Sequence, residues 1–178
     1  MTGAADELRF PIGRFAARDG LDPDQRRQRI AMLAATPAAF RRATQLMTVE
    51  QLLTPYRPGG WTVAQVVHHL ADSHLIGYLR CRLALTEDLP LVRTYQEGAW
   101  AELSDARDTN LTASLILVDM LHQRWAALFN SLSAQQWHRA LRHPEWETVT
   151  VEWLLQQYAW HGEHHLAHIT RLGERLRW

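Results

Sequence analysis

The stretch VEWLLQQYAWHGEHHLAHITRLGERL, residues 151–176, decides how this chain is read. Its apolar positions Val151, Leu154 and Tyr158, and beyond them Leu172 and Leu176, are spaced three or four residues apart, as on the core-facing side of an amphipathic helix. His161, His165 and His168 fall on the same stripe, so three consecutive core-facing positions carry imidazole. His161 and His165 lie about 40° apart around the helix and one turn along it, which lets the two rings share one metal ion.

Outward from this helix, the rest of the chain also reads as helical. A helix is expected from about Pro23 to Ala35, and Thr36-Pro37 reads as an N-cap and N1 proline opening a second piece. Thr48-Val49-Glu50-Gln51 is a capping box for a short turn, and Pro55 to Gly60 breaks the chain. Thr62 caps a long helix reaching about Thr86. The segment from Leu89 to about Asn110 reads as a loop of a length that is often functional. The next helix runs to about Leu132, with His122 alone in its apolar stripe, in a structural or supporting role. Ser133-Ala134-Gln135-Gln136 is another capping box, His143 to Glu147 a turn, and the segment before Gly20 irregular. Four long helical segments joined by broken connections fit an all-α four-helix bundle with crossover connections and short extra helices, one domain over 1–178.

Composition excludes several chemistries. The chain has no lysine, which removes Schiff-base catalysis and any P-loop or kinase lysine. Its one cysteine, Cys81, cannot form an intramolecular disulfide, a CxxC motif or a Cys-rich zinc site, and reads as a small buried hydrophobe. Formal charge balances to zero, so the basic residues Arg26, Arg27, Arg29, Arg41 and Arg42 read as a solvated face and no nucleic-acid partner is expected. The start is polar and acidic and no apolar run spans a bilayer, so a cytoplasmic protein without a membrane partner is expected. Eight tryptophans suggest an aromatic interface, hence a homodimer.

The chemistry concentrates in histidine. His161-Gly162-Glu163-His164-His165 is not the zincin HExxH, because Gly162 stands where that motif needs glutamate. Glu163 lies about 200° around the helix from His161 and points elsewhere. A catalytic zinc typically takes three protein ligands and keeps one open position. His161 and His165 supply two. His68, His69 and His74 are candidates for the third, and periodicity does not choose among them. Asp72 is a candidate acceptor for a ligand's second ring N–H. Tyr95, Glu97 and Trp100 of the long loop could wall a pocket. No general base can be named.

Residues 54–63, Thr-Pro-Tyr-Arg-Pro-Gly-Gly-Trp-Thr-Val, with the following Val66-Val67-His68-His69-Leu70-Ala71-Asp72-Ser73-His74, resemble the YfiT branch of the DinB/YfiT-like superfamily. So do residues 8–14, 83–87, 99–103 and 158–169. The resemblance implies a DinB-type bundle with a three-histidine divalent metal site, its ligands His69, His161 and His165, with zinc as first choice of metal and nickel as second. It further implies a metal-dependent hydrolase acting on a small molecule, with water at the open position. The alternatives are a metal-dependent S-transferase using a low-molecular-weight thiol, or a bundle that binds metal without turnover.

Overall fold

The computed structural model describes residues 2–178, with side chains from Asp6 onward. In chain order the helices are α1 (Thr2–Arg9), α2 (Pro23–Thr44), α3 (Val49–Leu52), α4 (Val63–Thr86), α5 (Glu97–Trp100), α6 (Thr112–Asn130), α7 (Ala134–Trp137) and α8 (Val151–Leu176). A two-stranded antiparallel hairpin, β1 (Ala140–His143) and β2 (Glu147–Thr150), precedes α8. The capping signals at Thr48, Thr62 and Ser133 hold. Asp22, Thr48, Thr62 and Ser133 each close a reciprocal box with the glutamine three residues on, and Thr150 caps α8.

The four long helices form the bundle, in which α2 packs on α6 and α8, and α4 on the same two. Named contacts fix their directions. Arg26 pairs with Glu152 and, farther along both helices, Gly162 abuts Thr36, so α2 and α8 run parallel. Gly77 abuts Tyr158, and the His69 ring centroid is 4.9 Å from that of His165, so α4 runs against α8. His68 bonds Ser114 and His74 bonds His122, so α4 and α6 run parallel. Two adjacent parallel helices require a connection that returns the whole length of the bundle. The 24 residues of α4 span about 36 Å. The long segment between α4 and α6 is this crossover, so its length is first a demand of topology. It is not structureless: it carries α5 and a 3-10 turn over Asp105–Arg107, and Gln65 Nε2 donates to the Ala101 carbonyl at 2.7 Å.

The turn read at His143 to Glu147 is present, and it is the tip of the β1–β2 hairpin, a four-residue pairing too short to show period-two patterning. Two expectations are corrected. The N-terminal segment before Gly20 is helical through Arg9. Most consequentially, Thr36-Pro37 does not open a new helix, and α2 runs through it unbroken. An interior proline costs about 3 kcal/mol because it lacks the N–H that would bond the carbonyl four residues back. Here that carbonyl is Leu33's, which is left free for another donor.

The core has two apolar clusters. One includes Leu33, Tyr78, Trp125, Phe129 and Leu154; the other includes Phe40, Val67, Leu70, Val118 and Leu172. Each fully buried Leu or Phe contributes about 1.5–3 kcal/mol. Between the clusters along every long helix fall Pro37, His74, His122 and His161, so an imidazole layer divides the core.

Candidate metal centre

The geometry starts from helix register. His69 on α4 and His161 and His165 on α8 each offer one ring nitrogen, all within 4.8 Å of one another. No fourth His, Cys, Asp or Glu joins this group among the described residues. His161 Nε2 and His165 Nε2 are 3.1 Å apart. Two nitrogens each about 2.0–2.1 Å from a tetrahedral ion lie about 3.3–3.4 Å apart, so this pair already has near-ligating spacing. Trp61 closes one side, its ring centroid 4.5 Å from that of His69.

Protonation also suits a metal. Burial pushes His69 down to about 4. Burial, and then the neighbouring imidazoles, hold His161 and His165 well below the ordinary range. All three rings are therefore neutral near neutral pH, the form that ligates.

The buried hydrogen bonds determine the tautomers. His122 Nδ1 is 2.7 Å from the Leu33 carbonyl, which can only accept, so Nδ1 carries the proton. Burial keeps His122 neutral, down to about 4, so its Nε2 is bare and accepts from His74 Nδ1–H at 2.8 Å. His74, fully buried and likewise neutral, then has a bare Nε2 that accepts from His161 Nδ1–H at 3.1 Å. The His161 Nε2 lone pair is thereby left facing His165. The chain of command runs from the carbonyl freed by Pro37 through three imidazoles to the centre. An N–H partner that fixes a ligating imidazole's tautomer and orientation is the usual support of a histidine metal site. His165 Nδ1 is buried and has no protein partner.

The other histidines have different work. His68 Nδ1 is 2.8 Å from Ser114 Oγ and its Nε2 is 2.8 Å from the Asp108 carbonyl, which pins the end of the crossover. His164 stacks on Trp160 with centroids 4.5 Å apart. His168 stacks on Tyr56 at 4.0 Å and donates from Nε2 to the Arg9 carbonyl at 3.2 Å. Glu163 is exposed, as its angle predicted. Asp72, half-buried, accepts no hydrogen bond from an imidazole; that role belongs to His74. Periodicity placed His74 on an interior stripe as a candidate ligand but could not separate a ligand from a ligand's partner. Cys81 is fully buried and burial pushes its thiol up to about 12, so it is no nucleophile. No helix of the described residues is long and apolar enough to cross a membrane.

Comparison with known proteins agrees with this architecture. The sequence profile of the DinB superfamily matches residues 32–169. The chain is 46% identical over 172 residues to "Putative metal-dependent hydrolase YfiT" of Bacillus subtilis (strain 168), covering 96% of this chain and 97% of that one. It is 45% identical over 174 residues to a protein of the same description in Bacillus licheniformis, covering 97% and 99%. Among solved structures it is similar to YfiT from Bacillus subtilis, described as "a probable metal-dependent hydrolase with an unusual four-helix bundle topology", with a TM-score of 0.94 over 97% of this chain and 99% of that chain.

Proposed function

This chain belongs to the DinB superfamily, and from that premise we propose that it is a metal-dependent hydrolase of small molecules whose divalent ion is held by His69, His161 and His165. One observation carries the reading: the imidazole layer leaves the His161 Nε2 lone pair bare and aimed at His165 Nε2, 3.1 Å away, in a group with no fourth protein ligand among the described residues. A structural zinc is normally closed by four protein ligands, whereas a catalytic one keeps a position open. Zinc suits three imidazoles, and nickel is the second choice.

An ion held by His69, His161 and His165 would supply Lewis acidity and would activate water as a nucleophile near neutral pH. The chain's own residues do the rest. His69 and His165 present neutral nitrogens from two antiparallel helices. His74 and His122 hold the His161 proton on Nδ1. Trp61 packs against His69 and His165 and bounds one side of the site.

The test is an activity screen of metal-free protein and of protein reloaded with zinc or nickel, against ester and amide panels. A second panel offers a low-molecular-weight thiol with an electrophile. Metal-dependent turnover in the first panel is expected. Turnover only in the second would replace hydrolysis by thiol transfer, and turnover unaffected by metal removal would overturn the reading.

A further inference from the structure

A polar cavity of about 370 Å³ lies between α4, the crossover and the β1–β2 hairpin, lined by Arg80, Tyr95, Glu97, His143, Glu145 and Trp146 among others. Arg80 is only 5% exposed, yet no carboxylate lies within 4.0 Å of it among the described residues. Its terminal nitrogens donate to the Arg93 carbonyl at 2.9 Å and, at a long 3.4 Å, to the Tyr158 hydroxyl. Its Nε–H has no partner. His143, 4% exposed, accepts the Glu145 and Trp146 backbone N–H groups on Nδ1, so Nε2 carries the proton, and that donor is unpartnered too. The Tyr95 hydroxyl is a third buried polar atom without a partner. Buried donors are almost always satisfied, and a buried guanidinium normally has a counter-charge. Three buried polar groups from three separate elements, each without a protein partner, belong to residues that line one polar cavity.

The remaining walls narrow what that acceptor belongs to. Glu97 and Glu145 line the same cavity, so its side chains supply one cation and two carboxyls. Burial and the nearby Glu145 raise the Glu97 carboxyl, while Arg80 opposes that shift. Such a lining repels a dianion. It suits a carboxylate against Arg80, His143 and Tyr95 with an amine toward the glutamates.

We propose that this cavity is a binding site for a small zwitterionic ligand, a free amino acid or a peptide terminus, whose carboxylate is received by Arg80, His143 and Tyr95. Tyr158 separates it from the histidine centre. The Tyr158 hydroxyl meets Arg80, while its ring centroid is 5.2 Å from that of His74 and 6.1 Å from that of His161. The site stands whether or not the three histidines hold an ion.

The readout is the Arg80 side-chain Nε–H resonance in ¹⁵N-labelled full-length protein, assigned by its loss in Arg80→Lys. Glycine, glycylglycine, acetate, methylammonium and inorganic phosphate are titrated separately into the native chain and into His161→Ala. A saturable shift of the Arg80 signal with glycine or glycylglycine, equal in both proteins, is expected. His143→Asn, which keeps an acceptor for the Glu145 and Trp146 N–H groups but no donor at the reach of Nε2, should weaken that binding by about tenfold to a hundredfold, the effect of removing a hydrogen bond to a charged group. If Arg80→Lys does not fold, the resonance is assigned through-bond and His143→Asn alone bears the test. No shift with either zwitterion, or phosphate binding as well as they do, overturns the proposal. So does unchanged affinity in His143→Asn.

Discussion

Replacing His74 by leucine isolates what the imidazole layer contributes. The substitution keeps an apolar side chain of similar size at a fully buried position and removes both ring nitrogens. His161 Nδ1–H then loses its acceptor at 3.1 Å, and His122 Nε2 loses its donor at 2.8 Å. Each buried group left unsatisfied costs about 1–3 kcal/mol, so the metal-free protein should lose about 2–6 kcal/mol of stability. The effect on metal is separate. Without His74, nothing holds the His161 proton on Nδ1, and the tautomer protonated at Nε2 cannot ligate. Loss of such a partner costs about 10–100-fold in metal affinity, or about 1.4–2.7 kcal/mol. Competition with a chromophoric chelator measures the affinity, and circular dichroism of metal-free protein measures the stability. His122→Leu, one link farther from the centre, should weaken metal binding less than His74→Leu. A folded His74→Leu protein with metal affinity within about twofold of the native chain would refute the reasoning.

Other expectations follow from the same geometry. His68→Ala and His164→Ala should leave metal stoichiometry unchanged, while His68→Ala lowers stability by about 1–3 kcal/mol through its lost bonds to Ser114 and Asp108; metal loss in either, measured by elemental analysis, would reassign the ligands. Burial lowers the His122 pKa from its ordinary 6.5 to about 4, so the unfolded chain takes up the proton first. His122 therefore stabilises fully above about pH 6.5, and about 3 kcal/mol is lost as pH falls toward about 4. Thermal melts of metal-free protein should show this decline, and a Tm independent of pH across that window would contradict it. A homodimer is expected in light scattering. Its support is now the exposed Leu75 and Leu79 of α4 and Ile116 and Met120 of the adjacent α6, since only Trp100 and Trp178 of the eight tryptophans are exposed; a monomer mass at micromolar concentration would count against it.

The bundle was legible because its signals are local. A capping box places α4, and three-to-four periodicity places α6 and α8, nearly to the residue. The His161/His165 pair was legible for the same reason: both lie on one face of one helix. The choice of His69 over His68 and His74 was not available from periodicity, since two interior stripes of α4 pass through these residues and only packing against α8 and α6 separates them. Pro37 misled because its local rule is strong. A proline after threonine announces a helix start, and the sequence holds no sign that a histidine about ninety residues away satisfies the carbonyl it abandons. The parallel run of α4 and α6, and with it the reason for the long crossover, is likewise a tertiary fact.

Whether three imidazoles share one ion is measured directly by metal content. Protein prepared without an immobilised-metal resin, saturated with zinc and dialysed, is analysed beside His69→Ala and the double variant His161→Ala/His165→Ala, with dichroism confirming that each remains helical. About one equivalent per chain is expected in the native protein, and essentially none in the double variant. Full stoichiometry retained by a folded double variant would place the metal elsewhere and contradict the central claim.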